Sequence, residues 1–413
     1  MQCFQNRRTN KLKQIRVCVI GGGASGLIAS IFAAKEGAAV TLLEKNEKPA
    51  KKLLMTGNGR CNFTNEYQKL DCYHSYHEKE SQFIREVFEQ FSMEETVEFF
   101  KRIGIYPKSR NGYLYPASNQ ASSVAEVLEA EARFRKVKIK LNEQVLAIEK
   151  NEQSDTWLVK TKGWQYEAER IIITCGSPAS LLEEDGWDGY TFAKSLGHQI
   201  VPVLPALVQL TCKVGFLKQW AGVRVEGQVS FIQKEECLAR ERGELQLTEY
   251  GISGIPVFQI SACVARNLSE NGQGSVVLDF MPDFTIEEVE ALLRERQENC
   301  SYKNLKELLI GLFPAKLIPI LVTKKITEKE LAFRIKNLEL PLKGTKSIRQ
   351  AQVCQGGVSV SEINEKTMES KRCPGIYFAG EVIDVDGICG GYNLQWAWSS
   401  GAIAGMYAGK ENT

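Results

Sequence analysis

The stretch IRVCVIGGGASGLIASIFAAKEGAAVTLLE, residues 15–44, decides the fold. Its first six residues are apolar and β-branched apart from Arg16, the pattern of a short buried strand. Gly21, Gly23 and Gly26 follow at once in the order G-x-G-x-x-G. The segment Leu27 to Lys35 then has helical spacing and stops at Gly37, and Ala38 to Leu43 reads as a second strand ending at Glu44. Each part has a physical role. Gly21 permits a tight turn, Gly23 lets a pyrophosphate approach backbone, and Gly26 lets helix and sheet pack closely. The helix N-terminus offers free N–H groups and a partial positive charge to phosphate, with Ala24 and Ser25 among the expected cofactor-binding residues. Glu44, followed by Lys45, stands where an acid accepts the adenosine ribose hydroxyls. That carboxylate would repel a 2′-phosphate, so the site suits FAD or NAD better than NADP.

A second cluster at the far end of the chain favours a flavin. Residues 375–381 (GIYFAGE) read as a short strand ending at Gly380-Glu381, with Asp384 just beyond. Gly390-Gly391-Tyr392-Asn393 then opens a long apolar helix from Leu394 to Tyr407, with Ser399, Gly401 and Gly405 for close packing. A carboxylate after the strand suits ribitol hydroxyls. A glycine-rich helix start aims N–H groups at the flavin N1–C2=O edge, where negative charge gathers on reduction. The loop Gly57-Asn58-Gly59-Arg60-Cys61-Asn62 adds backbone donors, a guanidinium for phosphate and an amide for a polar ring edge. IIITCG, residues 171–176, reads as a strand returning to the nucleotide with Gly176 at its end.

With these motifs in place, the chain resembles a family of bacterial flavoproteins that includes aminoacetone oxidases and 3-dehydro-bile acid Δ4,6-reductases. The resemblance is carried by KKLLMTGNGRCNFTN (51–65), LGHQIVPVLPALVQL (196–210), YGISGIPVFQIS (250–261) and the run from Thr367 to Gly405. It implies an α/β fold in which an FAD-binding, Rossmann-like domain of glutathione-reductase type is interrupted by a β-rich domain and a small helical domain. It supports Glu44, Arg60, Cys61, Asn62, Glu381, Tyr392 and Asn393 as flavin-site positions. Thr174-Cys175-Gly176-Ser177 departs from the family's usual Ala-Thr-Gly-Gly, LLEEDGWDG replaces its glycine-rich continuation, and Asn58 stands where glycine is typical. These departures bear on substrate rather than fold. The full cofactor-binding set expected is Gly21, Gly23, Ala24, Ser25, Gly26, Glu44, Lys45, Gly57, Arg60, Cys61, Asn62, Val145, Gly176, Gly380, Glu381, Asp384, Gly391, Tyr392, Asn393 and Leu394.

The expected layout is a disordered basic tail over 1–15 and a first part of the FAD domain over 16–205. An inserted β-rich domain follows over 206–284, an inserted helical domain over 285–336, and the rest of the FAD domain over 337–413. Residues 80–102 and 120–135 carry amphipathic helical patterns. Thr285 and Glu288 form a capping box that opens a helix.

With 43% hydrophobic and 25% charged residues, the 413-residue chain has an ordinary globular balance, and its net charge of +2 gives no cause to expect nucleic acid or an anionic membrane as partner. No apolar run is long enough to span a bilayer, and the basic start, Arg7 to Arg16, lacks the apolar stretch of a signal peptide. A cytoplasmic protein acting on a small-molecule substrate is expected, with its oligomeric state left open. Its twelve cysteines are scattered without a Cys-x-x-Cys, which disfavours a disulfide scaffold, a zinc knuckle and a dithiol relay. Cys72, His74 and His77 lie close together, but no second cluster completes a metal site, so no metal is expected.

A flavin carries the electrons itself, leaving the protein to place substrate and manage a proton. Tyr392 at the helix mouth is the candidate donor, with packing on the flavin edge as the other reading of its ring; His77 is a second candidate, and His74 or His77 could reach substrate from what otherwise reads as a polar surface loop. His198 is expected to be structural. No second G-x-G-x-x-G unit is present, so NADH or NADPH would dock on the flavin directly. The favoured activity is NAD(P)H-driven reduction of a conjugated C=C in a 3-oxo steroid such as a bile acid. The alternative is O₂-dependent oxidation of a small amino ketone. A flavin-dependent RNA-modifying or RNA-binding factor is disfavoured by the near-neutral charge.

Overall fold

A computed structural model describes residues 14–76, 81–181, 185–323 and 325–411. Most of the basic segment, and His77 with it, lies outside these residues. Strand β1 (Arg16–Ile20), helix α1 (Ala24–Lys35) and strand β2 (Ala39–Leu43) form the expected unit. β1 is central in a five-stranded sheet. Strands Arg170–Ile173 and Ile376–Phe378 lie on one side of it, β2 and Lys138–Lys140 on the other, and every pairing is parallel. Both ends of the chain therefore build one sheet. The strand order reverses on either side of β1, so a crevice opens at the carboxyl ends of Ile20 and Ile173, the place where such sheets bind ligands.

The terminal helix Tyr392–Gly409 lies along α1. Added methyls at Gly401 and Gly409 would stand 2.7 Å from the Ser25 carbonyl oxygen and 2.6 Å from that of Ala33, and one at Gly405 would strike the Ala29 carbonyl. The matched steps of four show that the helices run parallel. Both N-termini consequently point at the crevice, and both positive dipole ends with them.

Six strands close a barrel in the order Leu210–Cys212, Gly251–Ser253, Glu236–Leu247, Val223–Gln233, Ser275–Asp279 and Leu338–Thr345. The expected return to the nucleotide domain at 337 is therefore too early. Leu338–Thr345 pairs with Ser275–Asp279 and with Leu210–Cys212, and its alternating burial places Leu338, Leu340 and Leu342 in the barrel core. The region 206–284, expected to be β-rich, also holds a helix, Ile255–Asn271. Gly254 before it and Pro256 in its first turn are the start signals. The helical segment after 285 opens on the Thr285–Glu288 capping box, and its Leu293, Leu331 and Ile335 pack into the barrel's own core. The amphipathic stretch 80–102 is two helices, Ser81–Gln90 and Met93–Arg102, the second capped by Ser92 and Glu95.

Candidate active site

The crevice is an elongated cleft that starts at the turn after β1. Gly21 has φ +101°, and a Cβ there would stand 2.6 Å from the Thr174 carbonyl oxygen. At Gly26 a Cβ would collide with the Gly21 carbonyl. These two positions bring α1 over the strand ends, and Gly21, Gly23, Ala24 and Ser25 line the cleft. Glu44 forms its next wall. Its buried carboxylate accepts the Gly22 N–H at 2.7 Å, and from Asn46 the backbone N–H at 2.8 Å and side-chain Nδ2 at 2.6 Å. Lys45 reaches Asp188 at 2.9 Å and Asp185 at 3.3 Å, spanning that end. Val145 and Gly176 complete the wall.

At the other end lies Glu381. It pairs with Lys52 at 2.6 Å and accepts the Cys354 N–H at 3.2 Å. Asn393 and Leu394 line this end from the mouth of the terminal helix, together with Trp396 and Ala397. The Asn393 amide accepts the Gly387 N–H at 2.8 Å and donates to the Gly387 carbonyl at 2.7 Å, which pins the loop before the helix. Gly391 caps that helix at φ +95°, and a Cβ on it would stand 3.0 Å from Asn62 Oδ1. Asn62 Oδ1 is buried and accepts no hydrogen bond among the described residues. Glycines and an open acceptor thus converge at the mouth of a long helix, the chemistry that fits a ring presenting both an N–H and a C=O.

Several expected residues sit elsewhere. Gly26, Cys61, Asn62, Gly380, Asp384 and Gly391 shape the surroundings without lining the cleft. Gly380 is held by the Ser400 hydroxyl and the Trp396 indole. Asp384 accepts the Tyr76 N–H at 3.0 Å. Gly57 and Arg60 are exposed and do not line the cleft. Tyr392 is corrected more sharply. Its buried hydroxyl donates to the Tyr67 carbonyl at 3.2 Å and its ring meets Tyr73 edge-on, so its proton is committed away from the cleft. Burial drives that phenol's pKa far upward. His77 lies outside the described residues, and its candidacy stands only as a sequence expectation.

Lys52, Thr56, Cys175 and Trp396 line the cleft but were missed in the sequence. Lys52 had a signal, since it stands five residues before the GNGRC loop. Cys175 carries a thiol that burial pushes well above its ordinary pKa, so it is an inert wall rather than a nucleophile. All eleven cysteines among the described residues are free.

The barrel domain reaches the loop that precedes the terminal helix. Gln259, on the helix Ile255–Asn271, accepts the Cys389 N–H at 2.8 Å, and Phe258, Ala262 and Cys389 all pack against Ala206, Leu207 and Val353. The loop leading into the terminal helix is therefore gripped from both domains.

The family model described as HI0933-like protein Rossmann domain matches residues 15–407. The chain is 42% identical to a 3-dehydro-bile acid Δ(4,6)-reductase of Clostridium scindens, over 95% of this chain and 98% of that protein. It is 30% identical to a ribosomal RNA dihydrouridine synthase of Haemophilus influenzae, over 92% of this chain and 95% of that one. Among solved structures, a 3-ketosteroid-Δ4-(5α)-dehydrogenase from Rhodococcus jostii shares the fold at TM-score 0.50 and 14% identity, covering 98% of this chain and 99% of that one. No helix among the described residues is long and apolar enough to cross a membrane.

Proposed function

Because the chain belongs to the HI0933-like protein Rossmann-domain family, we propose that it is an FAD-dependent oxidoreductase using NADH or NADPH to reduce a C=C bond conjugated to the carbonyl of a 3-oxo steroid of bile-acid type. The observation that carries this reading is the 42% identity, over nearly the whole of both chains, to a relative named 3-dehydro-bile acid Δ(4,6)-reductase. The site residues fit the cofactor. The glycine turn after β1 and the start of α1 receive the pyrophosphate, Glu44 the adenosine ribose, and Glu381 the ribitol hydroxyls. Asn62 Oδ1, a buried acceptor without a donor among the described residues, takes the flavin N3–H. Bound there, FAD supplies the hydride chemistry that this chain's side chains lack.

A second reading is favoured by the 30% identity to the ribosomal RNA dihydrouridine synthase. The C5=C6 bond of uracil is also conjugated to a carbonyl, so both relatives' names describe one class of reduction. The net charge of +2 supports the small-molecule substrate over RNA. Anaerobic stopped-flow reduction with NADH and NADPH in parallel, followed by mixing with 3-oxo-Δ4,6 bile acids, tests the reading. Fast bleaching by a nucleotide and reoxidation by the steroid supports it. Reoxidation only by uridine-containing RNA favours the second reading. Reduction by an amino ketone, with no response to either nucleotide, makes the protein an oxidase.

A further inference from the structure

A dinucleotide brings a doubly charged pyrophosphate into the cleft, and the starts of α1 and the terminal helix each answer it with only about half a positive charge. A side-chain cation has to supply the rest. Among the described residues, three lysines and no arginine line the cleft. Lys45 is engaged by Asp185 and Asp188 at the adenosine end. Lys51 is exposed and donates to Asn46. Lys52 is the third. Its ammonium stands 2.6 Å from Glu381 and 3.4 Å from the Ser177 hydroxyl, both of which also line the cleft.

The sheet fixes where this ion pair lies. Lys52 follows β2 and Glu381 follows Ile376–Phe378, strands that flank β1 and Arg170–Ile173 on opposite sides. Strands so spaced are about 14 Å apart. The pair therefore arches across the carboxyl ends of the two central strands, where the crevice opens. Both partners are anchored at the mouth of α1. Two residues before Lys52, the Ala50 N–H donates to the Gly22 carbonyl at 2.8 Å, inside the glycine turn. Beside Glu381, a Cβ on Gly380 would strike the Ser25 side chain in the first turn of α1. A phosphate seated on the N-terminus of α1 comes to the same place.

We propose that Lys52 is the cation of the pyrophosphate site, giving up Glu381 for the phosphate oxygens as FAD enters and so releasing Glu381 to accept a ribitol hydroxyl. The inference rests on the FAD reading above. The exchange leaves neither charge stranded. The ammonium trades a carboxylate oxygen for phosphate oxygens, and the carboxylate, still accepting the Cys354 N–H at 3.2 Å, trades an ammonium for a hydroxyl. Breaking a partly buried ion pair is costly chiefly when one charge loses its partner, which does not happen here. A lysine suits this part, because its ammonium is a compact charge on a flexible stem. Lys52 and Glu381 thus compete for one another with the two halves of the same ligand.

The test titrates full-length, flavin-free protein with FAD and with ADP, which carries the adenosine and pyrophosphate but neither ribitol nor ring. Lys52→Met is expected to weaken both ligands about 10-fold, and Lys52→Arg, which keeps the charge, to recover most of that loss. Glu381→Gln separates the two roles. It should bind FAD more weakly than wild type but ADP about two- to fivefold more tightly, because Lys52 no longer has a carboxylate to leave. That gain should vanish when Lys52→Met is added to it. Melting curves show which variants are folded; if Lys52→Met is not, the opposite signs for FAD and ADP in Glu381→Gln still decide. Unchanged ADP affinity in Lys52→Met, weakened ADP binding in Glu381→Gln, or a gain that persists in the double variant overturns the proposal. So does a wild type that binds FAD but not ADP. A wild type that takes up no FAD removes the FAD reading itself, and the role of Lys52 with it.

Discussion

Asn62 Oδ1 is buried beside Gly391 with no hydrogen bond among the described residues, 3.0 Å from where a Cβ on that glycine would stand. An unsatisfied buried acceptor costs about 1–3 kcal/mol in the empty protein, and that cost is relieved when a ligand N–H arrives. Asn62→Leu is therefore expected to weaken FAD binding by about 1 kcal/mol, roughly fivefold, without lowering the melting temperature of the apoprotein. Titration of apoprotein with FAD and a melting curve of each apoprotein check the two halves. Equal loss in both would mean that Asn62 serves only the fold.

Gly391→Ala attacks the same point from the backbone side. The added methyl would meet the Thr64 carbonyl oxygen at 2.8 Å, at a φ of +95° that side chains avoid. The strain, about 1–3 kcal/mol, falls on the helix mouth and should appear as lost flavin per chain after purification. Full flavin content would remove this turn from the cofactor site.

Glu44 uses its charge on two neighbours at once, the Gly22 and Asn46 N–H groups. In Glu44→Gln one of these donors faces an NH₂ group, and the acceptor for a ribose hydroxyl weakens. FAD affinity should drop by about 1.5–3 kcal/mol, some 10- to 150-fold, as read by fluorescence titration. An unchanged affinity would show that the adenosine end binds without this carboxylate.

The βαβ unit was legible because its signals are local: strand, turn and helix are specified within about thirty residues. The barrel was harder to read. Leu338–Thr345 alternates in the sequence as it does in burial, but its partners lie more than fifty and more than a hundred residues away. Nothing local told it apart from a strand of the nucleotide sheet. The helix Ile255–Asn271 was hidden by the β-branched residues and glycines around its start, where barrel packing overrides propensity. At the site, residue types were legible and directions were not. Tyr392 stands at the helix mouth as expected, and only the fold shows its hydroxyl turned to Tyr67.

The parallel seam between α1 and the terminal helix gives a stability prediction. Gly405→Val would drive a branched side chain into the Ala29 carbonyl, against backbone that cannot move without shifting both helix mouths. Destabilisation of about 1–3 kcal/mol or more is expected, read from the urea midpoint, with flavin retention falling alongside. A stable, fully loaded variant would show that the seam has slack.

His198 supplies the pH dependence. Its ring is buried, with Nδ1 at 3.0 Å from Glu362 and Nε2 at 2.8 Å from the Ser370 hydroxyl. That hydroxyl also accepts the N–H groups of Arg372 and Cys373, so this Ser–His–Glu alignment braces a turn and holds no free nucleophile. Burial lowers the imidazole pKa below its ordinary 6.5, outweighing the upward pull of Glu362. The unfolded chain then binds the proton more readily than the folded one. Stability from this site is complete above pH 6.5 and is lost as pH falls through the lower folded value. Glu362 is also buried, but its bonds from Arg372 and the Gln199 N–H hold it below the usual carboxylate range, so a further loss follows at more acid pH. Melting temperature measured from pH 8 to pH 4 should fall first below about pH 6.5 in wild type. In His198→Gln, which keeps a neutral polar side chain, that first step should be missing. A first step of equal size in the variant would assign the acid sensitivity to another group.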